Sequence, residues 1–141
     1  MAQVTAGIPP EVTQETKAFW EAAMDGRLLA EHCESCGAEQ FPPRGICRVC
    51  RSREVSPTEV GGRGVVYSYT INHQKWLPDL DVPCAIVLVE FDDHPEFRVA
   101  GHLRGCDPED ARVGMEVEIG FECGPTGFMI PSFHAVGTER A

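Results

Sequence analysis

The chemistry of this sequence is concentrated in two identical cysteine pairs, Cys33-x-x-Cys36 and Cys47-x-x-Cys50, separated by ten residues. Two residues between thiolates let both sulfurs turn inward from one tight knuckle. Two facing knuckles then supply a tetrahedral cage at about 2.3 Å from a zinc ion. Four protein ligands leave no open position for water or substrate, so the spacing predicts a structural zinc site and not a catalytic one. Iron is the chemical rival, because four thiolates bind it too, and a red preparation would reveal it. Disulfides are disfavoured, since nothing marks the chain for an oxidising compartment. Gly37, directly after the first pair, suits the left-handed turn of such a knuckle. Arg51 stands at the equivalent place after the second pair, so the two knuckles are expected to differ slightly.

The other three cysteines do not form a catalytic pattern. A nucleophilic thiolate needs a neighbouring base in an electropositive pocket. Cys84 lies in an apolar run, and Cys106 and Cys123 lie in acidic surroundings. His73, His94, His102 and His134 are isolated, with no paired spacing. His32, beside Cys33, could compete as a ligand, but four thiolates already suffice. No catalytic residue is expected on this chain.

Three kinds of segment must position the cysteines. Ahead of them, Val12, Thr16, Phe19, Trp20, Ala23 and Met24 follow helical spacing, with Pro9 and Pro10 before and Gly26 as a stop. This single amphipathic helix has no helical mate, so its stripe docks either on the chain's own sheet or on another polypeptide. Phe19, Trp20 and Met24 are the candidate partner-binding residues. Beyond Gly61 the period changes to two. Strands are predicted from Val65 to Asn72, from Cys84 to Phe91, from Phe97 to Leu103, from Met115 to Phe121 and from Phe128 to Val136. Asp107, Pro108, Glu109 and Asp110 read as the N-terminus of a short helix between the third and fourth strands. The expected fold is mainly β with an N-terminal helix: helix in 1–32, zinc ribbon in 33–60, and a five-stranded OB-fold barrel in 61–141, with an SH3-like barrel as the alternative.

The 141 residues suffice for one ordinary domain or two small ones and are too few for a doubly wound or (β/α)-barrel enzyme. The formal charge of −10 is unevenly spread: residues 64–141 carry 13 acidic against 5 basic groups, whereas residues 33–63 carry 4 against 5. Such a distribution argues against nucleic acid, since counterion release needs a basic footprint. The alternative of a single-stranded nucleic-acid-binding module rests on Tyr67, Tyr69 and Trp76 as stacking groups, and that of a rubredoxin-type electron carrier on bound iron. The longest apolar run, Cys84 to Val89, is too short to span a bilayer, and MAQVTAGIPP lacks the features of a signal peptide, so a cytoplasmic protein is expected.

Taken in order, the FW-bearing helix, CESCG, FPPRGIC, CRVC, GRGVVYSYT, PCAIVLVEF, VGMEVEIGFE and IPSFHAV resemble the acyl-CoA-associated OB-fold family with a rubredoxin-like zinc ribbon, over nearly the whole chain. Members are accessory subunits of thiolase-like enzymes: the archaeal acetoacetyl-CoA thiolase and hydroxymethylglutaryl-CoA synthase assembly, the benzoylsuccinyl-CoA thiolase of anaerobic toluene degradation, and steroid side-chain aldolases. The resemblance implies zinc on Cys33, Cys36, Cys47 and Cys50. It also implies a helix and ribbon that hold a thiolase-type catalytic subunit in a hetero-oligomer, and a barrel near that partner's coenzyme A entrance. It supplies no catalytic residue. The chain departs from the family pattern at Cys84, where an aromatic residue is usual, at Asp92 and Asp93, where a glycine is usual, and at Arg51. For the phosphates of coenzyme A the barrel offers Arg63, Lys75, Arg98 and Arg104, with no basis in the sequence for choosing among them.

Overall fold

The computed structural model describes residues 7–137. After an irregular start comes α1 (Lys17–Met24), then a small sheet of β1 (Leu28–Cys33), β2 (Glu39–Gln40) and β3 (Val55–Val60). A barrel follows, made of β4 (Arg63–Asn72), β5 (Cys84–Phe91), β6 (His94–Arg104), β7 (Glu116–Cys123) and β8 (Met129–Ala135). The small sheet runs β2-β1-β3, all antiparallel. The barrel closes in the order β4-β5-β6-β8-β7, with β7 returning to β4, and β6 against β8 is its parallel pair. This is the expected mainly-β architecture with a five-stranded closed barrel.

Alternation decides which side chains fill the barrel. Val66, Val87, Val89, Phe91, Val99, Val117 and Phe133 are all essentially buried, while the intervening Glu116, Glu118 and His134 face out. Phe133 lies against Phe91 with ring centroids 6.0 Å apart. A 3-10 turn at Pro108–Asp110 joins β6 to β7, and the Asp107 carboxylate caps it by accepting from the Glu109 N–H at 2.9 Å, as the sequence predicts.

The helix is shorter than its periodicity suggests. Thr13 and Thr16 bond one another instead of the helical ladder: the Thr13 N–H donates to Thr16 Oγ1 at 3.0 Å and the Thr16 N–H to Thr13 Oγ1 at 3.3 Å. This local side-chain turn competes with helix and delays its start to Lys17. At the other end Gly26 takes φ +76°, and Gly26 and Arg27 N–H groups donate back to Ala23 and Ala22, which stops the helix where expected. Two strands of the small sheet have no clear sequence signal. β1 is buried on both faces and does not alternate, and β3 contains Pro57, tolerated because β3 is an edge strand. The predicted third strand starts earlier, at His94, because the turn occupies only Asp92 and Asp93.

Candidate metal centre and docking face

β1 delivers Cys33 at its C-terminal end, and the turn after it carries Cys36. The second knuckle, from Cys47 to Cys50, is not in a strand and is held from outside. The two pairs interlock: Cys33 Sγ lies 3.6 Å from Cys50 Sγ, and Cys36 Sγ lies 3.6 Å from Cys47 Sγ. All four sulfurs fall within 4.8 Å of one another. Sulfurs at the corners of a tetrahedron with ~2.3 Å bonds stand about 3.8 Å apart, so the cage has the dimensions of a four-thiolate metal site. Backbone N–H groups point at the sulfurs, from Cys36 to Cys33 Sγ at 3.4 Å and from Val49 and Cys50 to Cys47 Sγ at 3.3 and 3.5 Å. Such donors stabilise thiolate. Accordingly the Cys47 thiol is lowered to about 6, chiefly by the Cys50 N–H, against burial that opposes it. Cys33 is lowered in the same way, by the Cys36 N–H first. Cys36 moves the other way, to about 12; the Ala38 N–H pulls it down, but burial and the thiols of Cys47, Cys50 and Cys33 together outweigh that pull. Two of the thiols are thus biased toward thiolate and one against it, and a bound divalent cation would favour the thiolate form of its ligands.

Contrary to the expected difference, the two knuckles share one turn. The Gly37 N–H donates to Cys33 O at 2.9 Å with φ +82°, and the Arg51 N–H donates to Cys47 O at 3.1 Å with φ +67°. Arg51 therefore sits in the left-handed region that favours glycine.

What holds the second knuckle in place is a buried polar network that sequence reasoning did not find. The Glu31 carboxylate, 7% exposed, accepts from Gln40 Nε2 at 2.8 Å, the Arg44 N–H at 2.8 Å and the Gly45 N–H at 3.1 Å. Gln40 in turn donates to Ile46 O at 2.8 Å and accepts from the Arg48 N–H at 2.8 Å, gripping the chain on both sides of Cys47. The signal available in the sequence was a Glu and a Gln in otherwise apolar or paired positions of β1 and β2. The ribbon is also tied to the barrel through Glu39: its carboxylate lies 2.7 Å from His94 Nδ1, and its N–H donates to Glu96 at 2.6 Å. His32 lies 4.0 Å from the Glu39 carboxylate, so its nearest charged partner is that carboxylate.

The helical stripe divides. Phe19 is buried and packs edge-on to Trp20 at 4.7 Å and to Phe41 at 5.6 Å, and Phe41 stacks on Phe97 of the barrel at 6.1 Å. Of the three candidate partner-binding residues, Phe19 packs in the chain's own core and bridges ribbon and barrel. Trp20 is half-buried, 5.5 Å from the Phe128 ring, whereas Met24 is 60% exposed. Val12, Trp20, Met24 and Phe128 line an open groove between α1 and the β7–β8 turn.

Of the remaining thiols, Cys123 is half-buried with its sulfur 3.6 Å from Gly124 O. Cys84 is buried. The Cys106 thiol is pushed up by burial first and then by Asp110 and Asp107, with Arg112 opposing. Iodoacetamide is therefore expected to alkylate Cys106 several-fold more slowly than free cysteine at pH 7.5, and Asp110→Asn to accelerate it, as followed by peptide mass spectrometry. His102 Nδ1 lies 2.9 Å from Glu122, which Arg104 clamps at 2.7 and 3.1 Å, an outward-facing ion cluster on β6 and β7. That clamp, led by its hydrogen bonds, raises the Arg104 guanidinium further. Of the other candidate cations, Arg63 pairs with Glu118 at 3.4 Å, and Arg98 lies over the Tyr67 ring at 3.7 Å and beside Glu90 at 3.3 Å.

Comparison with known proteins now decides the family. Residues 20–56 match the rubredoxin-like zinc ribbon domain of ChsH2 and residues 57–122 its C-terminal OB-fold domain. A DUF35 domain-containing scaffold protein of Methanocaldococcus jannaschii is 33% identical over 96 residues, 67% of each chain. The chain belongs to the DUF35 family. A probable enoyl-CoA hydratase alpha subunit of Thermomonospora curvata is 33% identical over 110 residues, 77% of this chain. Only 34% of that subunit is spanned, so the chain matches about a third of it. In three dimensions the chain superposes on a chain of the Ltp2-ChsH2(DUF35) aldolase with a TM-score of 0.81 and 28% identity, covering 90% of this chain and 98% of the other. Among the described residues no helix is long and apolar enough to cross a membrane.

Proposed function

We propose that this chain is a DUF35 accessory subunit of a thiolase-like enzyme acting on acyl-CoA, supporting assembly and coenzyme A binding while the partner breaks or makes the carbon–carbon bond by thiolysis or aldol chemistry. The observation that carries the reading is the superposition along nearly all of the DUF35 chain of a two-component aldolase. Two features of this chain support it. Its thiols and histidines assemble no nucleophile–base pair among the described residues, and Met24 and Trp20 leave an apolar face beside the β7–β8 turn. The aldolase form of the chemistry is favoured by that same likeness, and the hydratase relative points to the same thioester substrates.

Zinc is the metal we assign to Cys33, Cys36, Cys47 and Cys50. It fits the cage dimensions and the family description, and when bound it would supply a structural cross-link. Elemental analysis of the purified chain checks this. For coenzyme A, Lys75 is exposed and has no ion-pair partner among the described residues, unlike Arg63, Arg98 and Arg104.

The test is co-purification with the thiolase-like proteins encoded beside it, followed by thioester cleavage assays of each component and of the mixture. A chain that binds none of them, stays monomeric and ignores acyl-CoA overturns the reading. Trp20→Ala is a poor probe of docking, because Trp20 also packs on Phe19 and Phe128. Met24→Gln is the better one: the side chain is exposed, so the melting temperature is expected to hold while the partner's dissociation constant rises about tenfold or more. Equal binding by Met24→Gln and wild type, in a titration by calorimetry, would remove Met24 from the interface.

A further inference from the structure

We infer that the second knuckle of the ribbon is a basic docking tip that seats in an acidic surface of the catalytic partner protein. The inference rests on the accessory-subunit reading and adds which surface docks and what chemistry receives it.

Charge segregation is the first observation. Residues 41–53 contain Arg44, Arg48, Arg51 and Arg53 and no acidic residue, in a chain whose formal charge is −10. All four arginines are exposed. Among the described residues, the side chains of Arg44, Arg51 and Arg53 make no hydrogen bond or ion pair, while Arg48 donates to Glu39 O at 3.3 Å. Glu31 reaches this segment, but it is taken up by the Arg44 and Gly45 backbone N–H groups, and among the described residues no carboxylate pairs with the arginine side chains.

Backbone conformation is the second. Arg51 holds φ +67° at the position where the first knuckle uses Gly37 at φ +82°. Glycine would occupy that turn without strain, so the strained arginine is the costlier choice for folding. An arginine side chain here serves something outside the turn.

The third is Val49, 57% exposed and in sequence between the exposed Arg48 and Arg51. An exposed apolar residue among arginines has the composition of a protein interface, where arginine is enriched and carboxylates on the other side accept its planar fork. Nucleic acid fits less well. Phe41, the aromatic of residues 41–53, is packed against Phe19 and Phe97 and is not offered for base stacking, and the acidic barrel would repel a long phosphate backbone. A compact patch of Asp and Glu on a folded partner matches four arginines without reaching the barrel.

The experiment uses the full metal-loaded chain and the purified thiolase-type subunit encoded beside it. Arg51→Gly, Arg48→Ala and Arg53→Ala are each titrated against that subunit by calorimetry at low and high salt. Dissociation constants about tenfold weaker are expected, together with a shallower salt dependence in the triple variant. Arg51→Gly is expected to melt at or above the wild-type temperature, because the strain is removed, and to release metal to a chelator no faster. That combination of higher stability and weaker docking separates an interface from a structural role. If wild type binds and the variants bind equally well at every salt concentration, the docking tip is overturned while the accessory-subunit reading stands. Faster metal release with unchanged binding would overturn it in favour of arginines that merely offset thiolate charge. Knuckle-dependent binding of a 20-nucleotide single strand would overturn it in favour of nucleic acid, and absence of any wild-type complex would overturn both readings.

Discussion

Stripping the metal with a strong chelator is expected to unfold the two knuckles of the ribbon and leave the barrel folded. The three-stranded sheet has one two-residue strand and one edge strand containing proline, and the second knuckle has no strand of its own. Little apolar surface holds the two knuckles together, whereas four thiolates on a divalent ion contribute on the order of 10–16 kcal/mol. Amide hydrogen exchange should then show protection lost from Cys33 through Arg53 and retained around Val87, Val89 and Phe133, and around Leu28, Ala30 and Val60, which share their core. Cys47→Ser should act in the same direction. Knuckles that keep their protection after metal removal would show that the cysteines are not their principal support.

The pH dependence follows from the same sulfurs. In the metal-free chain the folded Cys47 thiol, at about 6, lies below its ordinary value of 9.0. A thiol lowered on folding contributes stability above its ordinary value, and that contribution is lost as pH falls through the folded value. Protons also compete with the metal for each thiolate. Metal affinity is therefore expected to rise with pH and to collapse on acidification through about pH 6, which a metallochromic indicator would follow.

The metal centre was legible in the sequence because its signal is short-range: two residues within each pair and ten between them define a cage almost without regard to the rest of the fold. Barrel strands such as Cys84–Phe91 were legible for a related reason, since a run of apolar residues marks a strand, although this one alternates and leaves Ile86 exposed. What remained hidden depended on contacts between distant segments. Phe19 and Trp20 follow the same helical stripe, and only Phe41 and Phe128, brought in from the ribbon and from the β7–β8 turn, make one core and the other rim. The late start of α1 arises from a threonine pair that periodicity does not weigh. Arg51 looked like a misfit in a glycine position; the structure shows the turn retained and the strain accepted.

Glu31 is the hidden residue with the largest consequence. Glu31→Ala is expected to destabilise the chain by roughly 1–3 kcal/mol, the usual cost of leaving buried donors without an acceptor. The loss leaves the Arg44 and Gly45 N–H groups and Gln40 Nε2 without their shared acceptor, in a place water does not reach easily. Gln40, released on that side, would hold Ile46 and Arg48 less firmly, so the effect passes to Cys47 between them. Two readouts should therefore move together: the denaturant midpoint falls and the chelator removes metal faster, since outer partners of metal ligands change affinity by about 10–100-fold. Gln40→Ala should speed metal removal with a smaller loss of stability, because it removes the grip on Cys47 but leaves Glu31 bonded to the two backbone N–H groups. Should Glu31→Ala cost less than about 1 kcal/mol and leave metal release unchanged, the second knuckle would have to be held by its backbone and metal alone.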